Sequence, residues 1–487
     1  MSFIHKTPFR VYAPWCIVPS RRTYALTMLG LALILASVVV SFPRSSQSKA
    51  APAGAGGDWP MYMRTSGRIG FNKAETIINR TSAPTLKVHW TIPSGGAIFS
   101  QPVVANGMVY WGSLDGYEHA SDLNGNQLWQ HYLGIAGSCA PFNPLGVVNT
   151  AAVTTVPING TNTSVVFVGG GDDHLYALDA ATGAPYWSTP IGNPSTNTFI
   201  WDSPLVFNNT VFIGSATTGE AAGCKLIQGQ FFELNASTGA IEYTFNPVPN
   251  GCTGAGIWGS PTFDGSSGSV YITTGNQSGS CKEPYAVGLV KLRGSNLAYQ
   301  SSWQLPLDQR IVSDADFGTT PILFLATING TTHRMVGAVH KNGFFYALDR
   351  SALSNGPLWS KQIAIAGNCP ECGQGSISPG VYDGSRLYVA GGTTTINGVT
   401  CGGSVNALDP ATGNVLWQTC LPKTVLGAIT EVTGVIAVID GSHLTLLNTA
   451  TGAKLFDDSA HFYGSPSISN GVLYAGTTTG QLYAFGL

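Results

Sequence analysis

The chain has 487 residues, of which 10% are charged, and its formal net charge is −2. This composition excludes the basic surface that nucleic-acid binding requires. With 44% hydrophobic residues and 61 glycines, it is typical of a turn-rich all-β protein and not of a disordered chain.

The N-terminus carries a predicted export segment. Residues 24–42 form an uncharged apolar run preceded by Arg21 and Arg22, which predicts either a signal peptide or a single membrane-anchoring helix. Residues 20–26 resemble a twin-arginine export motif, and the small residues at 48–50 suit cleavage. Under both alternatives the rest of the chain is exported, and only this segment contacts the membrane.

We therefore predict three regions. An export signal or anchor occupies 1–50, a linker and lead-in segment occupies 51–83, and one repeat domain occupies 84–487.

One motif recurs along the repeat domain. The sequence LYALDAATGAPYW at 175–187 has close counterparts at 231–243, 405–417 and 444–456, and more distant ones at 117–129 and 345–359. Apolar alternation around a Thr-Gly turn predicts two strands of a hairpin. Self-similarity of this kind is typical of a radial or stacked repeat.

The openings of the repeats give their number. Each repeat begins after a Ser-Pro or similar pair, such as Ser203-Pro204, and the eight pairs start at 101, 150, 203, 260, 320, 378, 428 and 465. The last repeat stops after three strands, and Leu86–Trp90 resembles the missing fourth. Because a strand from the N-terminus would close the ring and remove free sheet edges, the sequence predicts an eight-bladed β-propeller. The tryptophan that ends the fourth strands is interpreted as packing between blades.

The cysteines support export. Eight of the nine cysteines follow the apolar run, and an even number in an oxidising compartment predicts disulfides. Cys401 and Cys420 flank one repeat and are the favoured pair. Cys369 and Cys372 have CxxC spacing, which we interpret as a loop disulfide in preference to a metal or redox site. Gly373 follows where covalent haem attachment would require His.

The repeat, the eight units and the opening DWPMY at 58–62 with Arg68 resemble the pyrroloquinoline quinone (PQQ) propellers. Within that group the chain is similar to secreted quinoprotein alcohol dehydrogenases, especially the polyvinyl-alcohol dehydrogenase branch. The repeat also occurs in a non-catalytic outer-membrane assembly propeller, so function depends on the site.

The resemblance implies a cofactor floor and a metal ligand in the fourth repeat. Trp258 corresponds to the tryptophan beneath the quinone ring, and a flat indole suits stacking on a planar cofactor. Asn276, after Thr-Gly, corresponds to a metal ligand. The alternative is that Trp258 packs between blades and Asn276 belongs to a turn.

In the third repeat, Thr218, Gly219 and Glu220 resemble the family loop in which Glu ligates the metal while backbone and hydroxyl groups hold the cofactor. Glu220 as a solvated surface residue is the alternative. Oxygen ligands from Glu220, Asn276 and Asp316 suit Ca²⁺, and a second nearby carboxylate raises the alternative of a lanthanide.

The fifth repeat opens with Asp314 and Asp316, and either one matches the general base of the family. Lys341, before Asn-Gly, matches a basic residue that bonds the quinone carbonyls. The alternative is a capped turn. The family's vicinal Cys-Cys pair has a single counterpart, Cys139.

The sequence therefore predicts an exported protein that oxidises an alcohol with PQQ and a metal ion. No CxxCH follows the propeller, so the expected electron acceptor is a separate cytochrome or quinone. The alternative is a non-catalytic propeller that acts as a binding or assembly scaffold at the cell surface.

Overall fold

A computed structural model describes residues 57–137, 139, 144–193, 197–217, 224, 226–278, 281 and 283–487. The predicted export segment and the predicted site residues Thr218, Gly219 and Glu220 lie outside these ranges. Within the described ranges, no helix has the length and apolar character needed to cross a bilayer.

The described strands form an eight-bladed β-propeller, as predicted, and each blade is an antiparallel four-stranded sheet. The strands of blade 1 are Val103–Ala105, Met108–Gly112, Tyr117–Asp122 and Gln127–Tyr132, and those of blade 2 are Ala152–Ile158, Thr161–Gly169, His174–Asp179 and Pro185–Pro190. Blade 3 consists of Leu205–Phe207, Thr210–Thr217, Gln230–Asn235 and Ile241–Phe245, and blade 4 of Thr262–Asp264, Ser269–Thr273, Gly288–Arg293 and Tyr299–Gln304.

The strands of blades 5 to 8 follow the same order. Blade 5 consists of Ile322–Ile328, Thr331–Val339, Phe344–Asp349 and Pro357–Gln362, and blade 6 of Val381–Tyr382, Leu387–Gly391, Gly403–Leu408 and Val415–Leu421. Blade 7 consists of Thr430–Val432, Val435–Asp440, His443–Asn448 and Lys454–Asp458, and blade 8 of Phe462–Ser469, Val472–Thr477, Gln481–Gly486 and Lys87–Pro93. Shorter strands are Phe71–Asn72, Thr198–Phe199, Thr253–Gly254, Gln277–Ser278, Thr394–Ile396 and Val399–Cys401, and the 3-10 helices are Ala83–Thr85, Leu307–Gln309, Leu353–Asn355 and Pro370–Cys372.

The N-terminal strand closes the ring. Lys87–Pro93 pairs antiparallel with Gln481–Gly486, so the outer strand of blade 8 precedes blade 1 in sequence. The indole N–H of Trp90 then donates to the carbonyl of Leu123 in blade 1 (3.0 Å), across the junction between the last blade and the first. The predicted closure by Leu86–Trp90 is thus confirmed.

The tryptophan and the glycine of the repeat are needed together. Trp129 donates its indole N–H to the carbonyl of Ala180 in the next blade (3.1 Å). Gly183 of that blade has a φ of +72°, and a Cβ there would lie 2.6 Å from the Trp129 ring. Glycine therefore satisfies both the turn and the close approach of the preceding blade, and the interpretation of the tryptophan as packing between blades is confirmed.

The pairs that open the repeats supply hydrogen bonds between neighbouring blades at four junctions. The hydroxyls of Thr150, Ser203, Ser260 and Ser465 each accept the backbone N–H of the equivalent residue in the preceding blade. The N–H groups of Gln101, Thr150, Ser203 and Ala428 donate over 2.7, 3.0, 2.8 and 2.7 Å. The pairs that mark the repeats thus join neighbouring blades at the channel wall.

The segment from 57 to 72 crosses the channel against the inner strands. Trp59 and Val104 of blade 1 exchange backbone hydrogen bonds of 2.9 Å, and Ser66 accepts the N–H of Phe263 in blade 4 at 2.8 Å. Phe71–Asn72 pairs parallel with the first strand of blade 7. One short segment therefore contacts several blades at once.

All eight cysteines of the described ranges form disulfides. Cys401–Cys420 and Cys369–Cys372 are paired as predicted, and Cys139–Cys224 and Cys252–Cys281 complete the set.

Candidate active site

A cavity of about 910 Å³ occupies one end of the channel. Every blade contributes to its wall at the point where the inner strand begins; these residues are Gln101, Thr150, Ser203, Ser260, Thr320, Pro379, Gly427 and Ser465. Tyr62 of the lead-in segment also lines it. A site reached by all eight inner strands follows directly from the radial repeat.

Two carboxylates and one ammonium group meet in this cavity. The Nζ atom of Lys341 lies 2.5 Å from Oδ2 of Asp314 and 2.8 Å from Oδ2 of Asp316. The side chains of Lys341 and Asp316 are each 8% exposed, whereas that of Asp314 is 31% exposed. Like charges this close repel unless a cation lies between them, and Lys341 supplies that cation.

The ionisation of the cluster follows from its burial. Burial and the neighbouring Asp316 raise the pKa of Asp314, and Lys341 acts against both. Burial disfavours the charged form of Lys341, but the two carboxylates more than offset this and raise its pKa above the usual value. Lys341 therefore remains charged between the carboxylates.

A tight turn fixes Lys341. The N–H of His340 donates to the carbonyl of Phe344 (3.0 Å), and Gly343 between them has a φ of +86°. The N–H of Lys341 also donates to the carbonyl of Asp316 (3.2 Å). This backbone contact brings the turn of blade 5 against the loop that opens the same blade.

Asn276 reaches the same cluster from blade 4. Its backbone N–H donates to Oδ1 of Asp316, and its side-chain Nδ2 donates to Oδ1 of Asp314 over 3.2 Å. Thus Asn276, Asp314 and Asp316, which come from two blades, lie together, and their oxygen atoms are of the type that hard cations prefer.

Trp258 forms the wall beside this cluster. Lys341 Nζ lies 5.2 Å from the centre of its ring. Trp201 of blade 3 contacts it edge-on, with ring centres 6.1 Å apart and planes at 73°. A Cβ on Gly318 would overlap the ring, so glycine at this position is required for the indole to lie where it does. Trp258 is half-buried and presents part of its surface to the cavity.

The sequence analysis missed two contributors to the site. The first is Trp201, which lies two residues before Ser203-Pro204, as Trp258 lies before Ser260-Pro261, and this shared spacing could have indicated it. Asn368 accepts the backbone N–H of Asp314 (2.9 Å) and donates to Ser313 (2.9 Å) from the loop that enters blade 6. No sequence pattern relates Asn368 to Asp314, because they are adjacent only through the folding of neighbouring blades.

One side of the cavity is polar and the other is apolar. Asn276, Asp314, Asp316 and Lys341 make one side polar. On the other side, Phe99 and Tyr463 lie with ring centres 4.2 Å apart, and Val148 and Leu426 extend the apolar surface. The predicted loop residues Thr218, Gly219 and Glu220 follow Thr217, which lines the cavity.

The residues present fit a planar quinone and a hard cation. The cavity offers an indole surface and clustered oxygen donors. In addition, the backbone at Gly275 packs directly against the carboxylate of Asp316, since a Cβ on Gly275 would lie 2.9 Å from Oδ1 of Asp316. These features are compatible with the predicted cofactor and metal ion.

Comparison with known proteins gives two family matches. Residues 59–360 match the model described as glucose/ethanol/alcohol dehydrogenase, beta-propeller domain. Residues 341–486 match the model described as outer membrane protein assembly factor BamB.

Among curated proteins, the chain is 26% identical to quinohemoprotein alcohol dehydrogenase ADH IIB of Pseudomonas putida, over 71% of this chain and 54% of that protein. It is 23% identical to polyvinylalcohol dehydrogenase of Sphingopyxis sp. (strain 113P3), over 82% of this chain and 66% of that protein. The chain thus spans about half the length of the quinohemoprotein relatives that it matches.

Solved structures share the fold. The quinohemoprotein alcohol dehydrogenase of Comamonas testosteroni gives a TM-score of 0.70 at 18% identity, covering 88% of this chain and 80% of that one. A europium-containing methanol dehydrogenase gives 0.69 at 16% identity, covering 89% and 98%. BamB from Moraxella catarrhalis gives 0.52 at 15% identity, covering 82% and 98%.

Proposed function

Because the chain belongs to the family of glucose, ethanol and alcohol dehydrogenase β-propeller domains, we propose that it is a PQQ-dependent dehydrogenase that oxidises an alcohol. The observation that carries the proposal is the convergence of Asp314, Asp316, Lys341 and Asn276 on the wall formed by Trp258. A propeller that serves only as a scaffold has no need for two carboxylates held around a buried lysine inside its channel.

The cofactor would lie against Trp258, with Thr218 and Gly219 contributing from blade 3. Glu220, Asn276 and Asp316 would hold the metal ion, either Ca²⁺ or a lanthanide, as in the europium-containing neighbour. Asp316 suits the role of ligand because its carboxylate is nearly buried beside Asn276. Bound PQQ would supply the acceptor for the hydride that leaves the alcohol carbon.

Asp314 is the better placed of the two carboxylates to act as general base. It is the more exposed to the cavity, so an alcohol hydroxyl can reach it, and Asn368 fixes its backbone. Lys341 would bond the acceptor oxygen while keeping the two carboxylates neutralised. The difference in exposure supports this division of roles within the pair, which the sequence leaves open.

Location and partners complete the proposal. Four disulfides suit an oxidising compartment, which supports export. The electrons would pass to a separate cytochrome or quinone, and the alcohol would enter through the cavity. A non-catalytic assembly role is the second candidate, and it is favoured by the BamB-type match over residues 341–486.

Reconstitution tests the proposal. Purified protein is mixed with PQQ and either Ca²⁺ or La³⁺, passed over a desalting column, and examined for retained quinone absorbance and for dye-linked oxidation of simple alcohols. We expect retained quinone and metal-dependent activity. Absence of both with either metal would favour the scaffold.

Two tryptophan variants separate binding from folding. Trp258→Ala should lose quinone retention while keeping the β-sheet circular dichroism signal. Trp417→Ala is the matched control, because its indole N–H donates to Thr449 of the next blade (2.9 Å), away from the cavity. It should lower thermal stability and leave quinone binding intact. Equal loss of quinone in both variants would remove Trp258 from the site.

A further inference from the structure

A second cavity, of about 510 Å³, lies between blades 4 and 5. Asp264 and Ser267 line it at the turn joining the first and second strands of blade 4, whereas Asn276 of the candidate active site follows the other end of the second strand. The interblade cavity is therefore at the end of the blades away from Asp314.

Its floor departs from the repeat. Lys291 stands two residues before the end of the third strand, where blades 1, 2, 5 and 8 have alanine (Ala120, Ala177, Ala347 and Ala484) and blade 3 has Glu233. Arg350 stands just after the third strand of blade 5, where blade 2 has Ala180. Basic side chains thus replace small neutral ones on both sides of a single interface, and local departures of this kind are expected at functional sites.

Lys291 donates one hydrogen bond to the backbone of the neighbouring blade. In other blades an indole N–H reaches the carbonyl after the third strand, as Trp187 does at Ala236 (3.1 Å). Here Lys291 Nζ donates to the carbonyl of Arg350 (3.0 Å). Among the described residues no carboxylate lies within ion-pair distance of Lys291. The ammonium also lies 5.8 Å from the centre of the Tyr271 ring, a cation–π contact that leaves N–H donors for an anionic acceptor.

The carboxylates of the cavity are engaged elsewhere. Asp264 pairs with Arg350 (2.8 Å) and accepts the hydroxyls of Ser266 and Ser267. Asp349 accepts from His333 Nδ1 (2.6 Å) and from Ser351 Oγ (2.6 Å). Among the described residues that line the cavity, Lys291, Arg334 and Arg350 face two carboxylates, so this lining carries a net positive charge even with His333 neutral.

We propose that the interblade cavity binds a phosphate group. Lys291 would meet it from the floor, and the exposed guanidinium of Arg334 from the rim. Thr331 and Thr332, also at the rim, add hydroxyl donors. Donors on several sides suit a tetrahedral oxyanion, and charge-assisted bonds to Lys and Arg are the strong ones.

The test uses the full folded protein and inorganic phosphate. Binding is measured by titration calorimetry at constant ionic strength, with chloride as the reference anion. We expect saturable phosphate binding that weakens about tenfold in Lys291→Gln and about tenfold in Arg334→Gln. Lys87→Gln, which removes an exposed charge from blade 8, is the matched control and should bind phosphate like the unmodified protein.

A vesicle arm distinguishes the source of the phosphate group. Sedimentation with phosphatidylglycerol vesicles that is lost in Arg334→Gln assigns the cavity to a lipid headgroup, whereas phosphate binding without sedimentation assigns it to a free ligand. No saturable effect of phosphate beyond that of chloride, or equal affinity in all three variants, overturns the proposal. Because neither assay depends on PQQ, the outcome is independent of the proposed dehydrogenase activity.

Discussion

At the scale of single residues, Lys341 is the charge that allows Asp314 and Asp316 to share one cavity. Its ammonium contacts both carboxylates at distances of a direct ion pair. A metal ion held by the same oxygen atoms would carry out the same neutralisation, so protein charge and metal charge are partly interchangeable here.

Replacing Lys341 tests this interchange. In Lys341→Met, Asp314 and Asp316 lose their counter-charge, and the metal-free protein should lose about 2 kcal/mol of unfolding free energy. This is less than the roughly 3–5 kcal/mol typical of a fully buried pair, because 31% of the Asp314 side chain is exposed. Urea unfolding with and without Ca²⁺ measures it, and Ca²⁺ should stabilise the variant more than the unmodified protein, because only the variant lacks another counter-charge. Lys361→Met in the same blade is the control, and an equal loss there would contradict the explanation.

Glu118 is a buried carboxyl group outside the site. It occupies a third-strand position that is filled by Leu175 in blade 2 and Phe345 in blade 5. It is 0% exposed, and neither carboxyl oxygen has a hydrogen-bond partner among the described residues. Burial raises the pKa of Glu118 well above its usual value and so favours the neutral form.

This raised pKa makes stability depend on pH. The folded state keeps the Glu118 proton above the unfolded pKa of about 4.3, so stability falls as pH rises from there, by up to about 1.4 kcal/mol per unit. Glu118→Leu should therefore be more stable than the unmodified protein at pH 7, with a smaller advantage at pH 4. Glu118→Gln removes the ionisable group without adding apolar surface, so it separates the effect of the charge from the effect of apolar packing. Parallel stability curves for the unmodified protein and Glu118→Gln between pH 4 and 7 would contradict the prediction.

At the scale of strands and turns, the repeat predicted most of the fold. The Thr-Gly turns, the terminal tryptophans and the Ser-Pro openings are each local signals, and each has a defined contact in the structure. Gly183 and Trp129 show why they recur together: the glycine of one blade is the surface on which the tryptophan of the preceding blade lies.

The remainder of the site depends on contacts that no local pattern records. Asn368 contacts Asp314 across 54 residues of sequence, and Trp201 reaches Trp258 from the neighbouring blade. The family resemblance predicted Asp316 and Lys341 as site residues, and the structure brings Lys341 Nζ within 2.8 Å of Oδ2 of Asp316. It could not identify Asn368 or Trp201, since their roles depend on how adjacent blades pack.

The closing strand gives a prediction at this scale. Deleting residues 84–93 removes the fourth strand of blade 8 and exposes the edge of Gln481–Gly486, so the melting temperature should fall sharply. Deleting residues 51–56 is the control and should have little effect. Gly57 is retained in that control because its carbonyl accepts from Asn72 and Ser469. Equal melting temperatures for the two deletions would be incompatible with ring closure by this strand.

At the scale of the whole molecule, the lead-in segment contacts blades 1, 3, 4 and 7. Arg68 is 1% exposed, and its guanidinium donates to carbonyls of Ser203 and Pro204 in blade 3 and of Pro261 in blade 4. It also donates to Tyr62 of its own segment, which lines the candidate active site. Burial lowers the pKa of Arg68 to about 10, which still leaves it charged at neutral pH.

Arg68 should therefore stabilise the blades and the cavity together. Arg68→Met leaves buried carbonyls without their donor, and at about 1–3 kcal/mol for each lost partner the cost should exceed about 3 kcal/mol. Arg68→Lys keeps the charge but not the planar set of guanidinium donors, so its unfolding free energy should lie between those of the unmodified protein and Arg68→Met. Urea unfolding measures the loss.

Hydrogen exchange at the Phe263 amide, which bonds to Ser66 in the lead-in, reports whether that segment has detached from blade 4. Arg80→Met, on an exposed part of the same segment, is the control. If Arg68→Met and Arg80→Met unfold at the same urea concentration and the Phe263 amide stays protected in both, the Arg68 guanidinium does not hold the lead-in against the blades.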